Sequence, residues 1–174
     1  RVDHFPVQEI ERRMRNILKK SGEPKHVRER LMANASSNAT PAHFYCMPKI
    51  HKKQLYTGRP IAAQHSYILS PLSCALAAVL QNVVETIPTI AFNSKTIARE
   101  LDEFRFTQPG VFLTFDVVAC YPSINIRDSL RVLAENTPVL AERDGYWLKV
   151  LQLILFNNYV QYDGTIYRQM QGTA

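Results

Sequence analysis

The chain has 174 residues, of which 46% are hydrophobic and 10% aromatic, so it can bury a substantial core. No apolar run approaches the ~20 residues that a membrane-spanning helix needs, because the longest candidate, 150–156, contains Gln152. The first residues show no secretory pattern either. These features argue against a membrane protein and favour an intracellular one, with no membrane among its partners.

The basic residues are concentrated in the first third of the chain. The formal net charge is +6, but residues 1–60 contain 13 Lys and Arg against 5 Asp and Glu, while residues 61–174 contain 8 against 10. Such an asymmetry is typical of a lobe that faces a polyanion. Part of this positive charge lies on one face of the first predicted helix. The alternative is that this face is an ordinary solvated helix surface. The residues concerned are Arg12, Arg13, Arg15, Lys19 and Lys20.

Periodicity and turn signals predict an α+β fold. In chain order we expect helices at 7–22 and 24–34, an extended or edge-strand segment at 43–52, a Gly-Arg-Pro turn at 58–60 with a short strand after it, helices at 70–88 and 94–104, a buried strand at 110–116, helices at 125–136 and 144–158, and a hairpin at 159–170.

Several of these expectations can be tested residue by residue. Ser70 is a candidate N-cap for a helix that is apolar on nearly all sides and should therefore be buried. An Asp-Gly pair at 163–164 predicts a tight hairpin turn. The three cysteines are widely spaced and contain no CxxC pair, so we interpret them as reduced thiols that pack inside the fold.

A carboxylate stands at the end of the predicted strand at 110–116. A carboxylate in that position can face a cleft, and Asp116 is followed by Tyr121 and Pro122, which bend the chain back beside it. Oxygen ligands of this kind suit Mg²⁺, which takes its other ligands from water and substrate phosphates. The alternatives are a local capping role for Asp116 and core packing for Tyr121.

Five segments resemble, in order, the motifs of Penelope-like retroelement reverse transcriptases, which are relatives of telomerase. They are "PKIHK", "RPI", "SPL", "FDVVACYPSIN" and "NNYVQYDGTIYRQMQGTA", and the resemblance covers most of the chain from about residue 41 to the end. It implies the fingers and a partial palm of a right-hand polymerase. The basic fingers region with its N-terminal helices would then be residues 1–110 and the partial palm residues 111–174.

The resemblance assigns roles to single residues. Asp116 matches the catalytic aspartate that binds both metal ions, Mg²⁺ or Mn²⁺, and Val117 would lie beside it at the metals. Tyr121 matches the residue whose ring excludes a ribose 2′-hydroxyl and so selects deoxynucleotides. The remaining nucleotide-binding candidates are Lys49, Arg59, Val118 and Gln169, and the nucleic-acid-binding candidates are Lys52, Lys53, Gln171 and Gly172.

The expected function is therefore RNA-directed DNA synthesis, with an RNA template, a DNA primer and dNTPs as partners. The chain stops before any YxDD motif, and Asp128, Asp144 and Asp163 do not stand in a comparable setting. We expect these residues alone to be inactive, to expose palm edges that favour self-association, and to belong to a nuclear or cytoplasmic protein, with the nucleus favoured by the family.

Two alternative functions differ in class. A non-catalytic nucleic-acid-binding module could derive from such an enzyme and would keep its basic lobe without its chemistry. A metal-dependent nuclease or phosphatase built on Asp116 would need further clustered acidic or histidine side chains, which the sequence does not place near a second strand end.

Overall fold

The computed structural model describes residues 1–35, 39–50, 58–105 and 107–173. Its helices are α1 Val7–Lys20, α2 Lys25–Leu31, α3 Ser70–Val84, α4 Ser94–Glu103, α5 Cys120–Ser123, α6 Ile126–Asn136 and α7 Pro138–Phe156. Its strands are β1 Ala42–Pro48, β2 Gly58–Ala63, β3 Tyr159–Tyr162 and β4 Thr165–Arg168. The predicted α+β class is confirmed. None of the helices formed by these residues is long and apolar enough to cross a bilayer.

The four strands form one mixed sheet in the order β2-β1-β3-β4. β1 pairs antiparallel with β2 along six residue pairs but joins β3, in parallel, only through Ala42 and His43. The later part of the β1–β2 pair therefore extends beyond the sheet as a two-stranded ribbon. Gly58, Arg59 and Pro60 lie within β2, so the turn predicted at these three residues is wrong.

The predicted hairpin at the end of the chain is confirmed. β3 and β4 pair antiparallel from Tyr159 opposite Arg168 to Tyr162 opposite Thr165. Asp163 and Gly164 connect them with φ values of 46° and 68°. A two-residue hairpin turn that matches the right-handed twist of its strands requires positive φ at both turn residues. Asp and Gly adopt such values readily.

The core forms where α1, α3, α6 and α7 meet the start of β3. In α1 the apolar residues Ile10, Met14 and Leu18 recur every fourth position and are all buried. They join Leu72 of α3 and Val150 of α7 in a single hydrophobic cluster. This cluster draws residues from both sides of the predicted division at 110/111, and the division itself stays a prediction.

The buried strand predicted at 110–116 is wrong. The residues form no strand, and the apolar side chains of the segment point into solvent. Phe115, for example, is 89% exposed. A β-prone run becomes a strand only when another strand satisfies its N–H and C=O groups, and the sheet of the described residues does not include this run. Asp116 therefore does not end a strand.

Three further predictions, on the burial of α3, on its N-cap and on the cysteines, are wrong. α3 is buried on one side only, at Leu72 and Leu76, because one face of the helix meets the core. Ser70 is the first helical residue rather than the N-cap, and its hydroxyl donates to the Gln64 carbonyl oxygen at 2.6 Å. The cysteines do not pack inside the fold: each lies on a solvent-facing surface. They are Cys46 on β1, Cys74 on α3 and Cys120 on α5.

Candidate functional site

The Tyr121 turn, residues 119–124, is a compact structure at the surface. Ala119 has a φ of 51°, in the left-handed region, and directs the chain into the one-turn helix α5. The Ser123 amide donates to the Ala119 carbonyl oxygen at 3.0 Å and closes the turn. Tyr121 points outward and is 69% exposed, so core packing of its ring is excluded. The ring is free to contact a ligand.

The chain end that follows β4 is bound to this turn. The Gly172 amide donates to the Ile124 carbonyl oxygen, and the Thr173 amide donates to the Tyr121 carbonyl oxygen, both at 3.1 Å. Gly172 is buried and has a φ of 74°. A Cβ atom there would lie 2.6 Å from the Tyr121 carbonyl oxygen and 2.7 Å from Cα of Pro122. The close approach that glycine permits is thus made to the Tyr121 turn.

An open cleft of about 500 Å³ lies beside this junction. We call it the Gln169 cleft. It is bordered by the start of α6, the end of α7 and the segment after β4. Its lining residues are Ile124, Asn125, Ile126, Arg127, Leu155, Phe156, Arg168, Gln169, Met170 and Gln171.

Hydrogen bonds hold the walls of the cleft in place. Arg168 donates from Nη2 to the Phe156 carbonyl oxygen at 2.9 Å. The Gln169 amide nitrogen Nε2 donates to the Gln171 carbonyl oxygen at 3.0 Å, and the Gln169 backbone N–H donates to the Asn158 carbonyl oxygen at 2.9 Å. The Arg168 contact and the Gln169 backbone contact connect the end of β4 and the residue after it to the end of α7.

The cleft combines positive charge with amide groups. Arg127 and Arg168 are both exposed and line it. Guanidinium groups bind phosphate oxygens through two parallel N–H donors, and the neighbouring amides of Gln169 and Gln171 suit hydrogen bonding to sugars or bases. Chemically, the cleft can bind a phosphorylated ligand that also offers polar groups.

The other predicted site residues lie in three places. Asp116, Val117 and Val118 belong to the exposed segment that leads into the Tyr121 turn. Lys49 follows β1, and Arg59 lies on β2 opposite Met47. Neither Lys49 nor Arg59 lines the Gln169 cleft. The two remaining nucleic-acid-binding candidates, Lys52 and Lys53, lie outside the described residues.

The donor set does not by itself form a metal centre. Asp116 is exposed, and no three His, Cys, Asp or Glu side chains come together to hold an ion anywhere in the described ranges. One carboxylate with a backbone carbonyl falls short of the ligands that two divalent ions share. These residues alone therefore do not complete a two-metal site.

Sequence reasoning missed both arginines of the cleft. Arg127 stands in the first turn of α6, two residues after Asn125, whose side chain caps that helix by accepting from the Arg127 N–H at 3.0 Å. Arg168 immediately precedes Gln169. The sequence offered two weak signals for them: one arginine lies in the first turn of a capped helix, and the other lies beside a candidate glutamine. The two arginines are 41 positions apart, so the sequence did not indicate that they share a cleft.

A scan against protein-family models finds no match, and searches of curated proteins and of solved structures find none either.

Proposed function

We propose that these residues are part of an RNA-directed DNA polymerase, a reverse transcriptase of the Penelope-like kind. The observation that carries the proposal is the junction between the Tyr121 turn and Gly172. Two segments about fifty residues apart, which resemble consecutive polymerase motifs, are joined by two backbone hydrogen bonds of 3.1 Å each. A shared nucleotide site would need this proximity.

In this proposal the exposed ring of Tyr121 lies against the sugar of an incoming nucleotide and excludes a 2′-hydroxyl. Gln169 lines the adjoining cleft and would contact the incoming nucleotide, while Arg168 beside it would contact phosphate groups of the template or primer. The β1–β2 ribbon would act as the fingers, where Lys49 and Arg59 approach the triphosphate. Lys52, Lys53 and Gln171 keep their expected roles at the nucleic acid, whereas Gly172 would act by holding the Tyr121 turn in place.

Asp116 would supply one oxygen ligand to Mg²⁺ or Mn²⁺, beside Val117, in a polypeptide that provides the remaining carboxylates. The bound ions would activate the primer hydroxyl and stabilise the leaving pyrophosphate. The proposed partners are an RNA template, a DNA primer and dNTPs. Self-association through the exposed apolar segment and a nuclear location belong to the same proposal.

A second candidate function is a nucleic-acid-binding module without catalysis. It is favoured by the chemistry of the Gln169 cleft, where Arg127 and Arg168 accompany two glutamines. Such a module would bind nucleic acid in a salt-dependent manner and have no need of Asp116. The two candidates therefore differ in one measurable property, which is the effect of removing the Asp116 carboxylate.

Primer extension separates the two functions. The longest natural polypeptide that contains these residues is expected to extend a DNA primer on an RNA template with dNTPs and Mg²⁺, and Asp116→Ala should reduce extension to background. Asp102→Ala, which removes an exposed carboxylate on α4, should leave it unchanged. Salt-sensitive binding of template and primer without extension, in the unaltered polypeptide, would reject the polymerase in favour of the binding module.

The Tyr121 ring gives a second prediction in the same assay. Tyr121→Ala should raise the use of NTPs relative to dNTPs, because the space for a 2′-hydroxyl opens. Tyr121→Phe keeps the ring and should keep the discrimination. An unchanged ratio of NTP to dNTP incorporation in Tyr121→Ala would mean that the ring does not contact the sugar.

A further inference from the structure

A second opening lies between α1 and α7, away from the Tyr121 turn. It consists of two adjoining parts of about 200 and 400 Å³, both lined by Asn16, Ile17 and Lys149. Lys20 and Arg143 line the smaller part, and Arg13 lines the larger. We call this opening the α1–α7 groove. It gathers four cationic side chains from two helices that are distant in sequence.

An unusual bend in α7 shapes one end of this groove. Arg143, Asp144 and Gly145 have φ values of 50°, 56° and 70°, so three consecutive residues adopt the left-handed region before the helix continues at Tyr146. Left-handed backbone is costly for residues other than glycine. Lys149 donates from Nζ to the Asp144 carbonyl oxygen at 2.5 Å, and Arg143 pairs with Glu23. The bend thus places Arg143 beside Lys149 at the groove.

The same end contains a buried tyrosine hydroxyl. Tyr146 lines the groove, is only 2% exposed, and its hydroxyl has no hydrogen-bond partner in the part of the chain that the structure describes. An unsatisfied buried hydroxyl costs about 1–3 kcal/mol. A ligand oxygen at this end of the groove would satisfy it.

The charge balance of the groove favours an anion. Asp144 is the acidic residue among the lining side chains. Two other carboxylates act from outside the lining, since Glu9 pairs with Arg13 at 2.7 Å and Glu23 pairs with Arg143. Arg13 and Glu9 are each about half exposed, and such pairs contribute little to stability. A phosphate could therefore replace the carboxylate at Arg13 at small cost.

The groove also leads towards the Gln169 cleft. Phe156 lines both the larger part of the groove and the cleft. From Tyr146 to Phe156 the helix rises about 15 Å, which is the length of roughly four stacked nucleotides. A positively charged groove of this kind tracks the backbone of a single strand.

We propose that the α1–α7 groove binds the phosphate backbone of a single-stranded nucleic acid that continues into the Gln169 cleft. The direction of the strand rests on the proposed function of that cleft, but backbone binding in the groove does not. Lys20, Lys149, Arg13 and Arg143 would contact phosphates, and the Tyr146 hydroxyl would donate to one of their oxygens. Phe156 offers an aromatic face at the point where groove and cleft meet.

Salt-dependent binding to this chain tests the proposal. The affinity for a labelled single strand of about 12 nucleotides, measured by fluorescence anisotropy, should fall with salt. In Lys20→Gln/Lys149→Gln the slope of log K against log salt should become shallower by about 1.4, since each phosphate contact on a single strand contributes about 0.7. Arg12→Gln/Lys19→Gln removes equal charge from exposed positions of α1 outside the groove and should leave the slope unchanged.

Two further variants guard against loss of folding as an explanation. Asp144→Asn should tighten binding, because it removes a negative charge while asparagine tolerates the left-handed backbone. Tyr146→Phe should weaken binding about fivefold, the effect of one hydrogen bond, without lowering the melting temperature.

Three results would overturn the proposal. If both double variants reduce the slope of log K against log salt equally, the strand is attracted by the general positive charge and not by the groove. If Asp144→Asn does not raise the affinity, the groove is not the binding site. Displacement of the strand by inorganic tripolyphosphate at equal phosphate concentration would assign the groove to a free polyphosphate instead. A further outcome separates the two proposals. If primer extension fails while the groove still binds the single strand, the proposed polymerase function is rejected and the groove proposal stands.

Discussion

Gly172→Ala is expected to release the end of the chain from the Tyr121 turn. The new Cβ would lie 2.6 Å from the Tyr121 carbonyl oxygen and 2.9 Å from that of Pro122, and both are backbone atoms that cannot move independently. The left-handed φ of 74° adds about 1–2 kcal/mol for alanine. The hydrogen bonds from the Gly172 and Thr173 amides should break as the segment shifts.

The effect should be local, because these two bonds connect a surface turn to a short segment. Hydrogen exchange at the Gly172 and Thr173 amides should accelerate by at least about 30-fold, which corresponds to about 2 kcal/mol. For the longest natural polypeptide that contains these residues, the proposed function predicts that the variant also loses the preference for dNTPs, since Tyr121 would no longer be held in position.

Gly164→Ala is the matched control for this experiment. Gly164 has a similar φ of 68°, but a Cβ there would meet nothing within 4 Å. Gly164→Ala therefore introduces the backbone strain without the collision. The difference between the effects of the two variants on amide exchange measures the contribution of the close approach at Gly172. Unchanged exchange at Thr173 in Gly172→Ala would show that the junction does not depend on glycine.

Tyr67→Phe is expected to destabilise the whole fold. Tyr67 is 2% exposed, and its hydroxyl donates to the Asn157 carbonyl oxygen and accepts from the Tyr159 N–H at 3.2 Å. One hydroxyl thus connects the segment before α3 to the junction of α7 and β3. Its removal leaves two buried backbone groups without this partner and should cost about 1–3 kcal/mol. For a chain of this size the melting temperature should fall by about 2–4 °C per kcal/mol.

The same tyrosine predicts a loss of stability in alkali. Burial raises the pKa of Tyr67 well above its ordinary value, and burial together with the nearby Glu23 carboxylate raises the pKa of Tyr146 to about 12. The folded state therefore keeps both protons where the unfolded state has lost them. The contribution of these two tyrosines to the free energy of unfolding should be constant below about pH 9 and should fall as the pH rises above about 10.

Urea unfolding at a series of pH values checks both effects of Tyr67. Tyr67→Phe should lower stability at pH 7 and show a smaller decline above about pH 10 than the unaltered chain. Tyr162→Phe removes the hydroxyl of a residue that is 56% exposed and should change neither property. An equal alkaline decline in the unaltered chain and Tyr67→Phe would mean that other groups cause it.

Local elements were predictable because their signals are local. Ile10, Met14 and Leu18 mark the buried face of α1 by spacing alone, and the Asp-Gly pair specifies the turn between β3 and β4 by its backbone preferences. The run at 110–116 has equally clear β character, yet it forms no strand. Strand formation depends on a partner, and a partner is a property of the whole fold.

The site divides in the same way. Tyr121, Gln169 and Gly172 were identified from the sequence by their resemblance to polymerase motifs, but the contact of Gly172 with the backbone of the Tyr121 turn was not. Nor was the meeting of Arg127 with Arg168 at one cleft, since these residues come from a helix and from a strand end. Spacing along the chain carries no information about such encounters.

The amino-acid sequence by itself determined the α+β class, most helices, the terminal hairpin and the concentration of positive charge in residues 1–60, because each follows from composition or from neighbours a few positions apart. Only the tertiary structure decided that Tyr121 faces solvent, that Gly172 lies against its turn, and that cations of α1 and α7 share a groove. These outcomes depend on how buried faces pack together, which brings distant residues into contact.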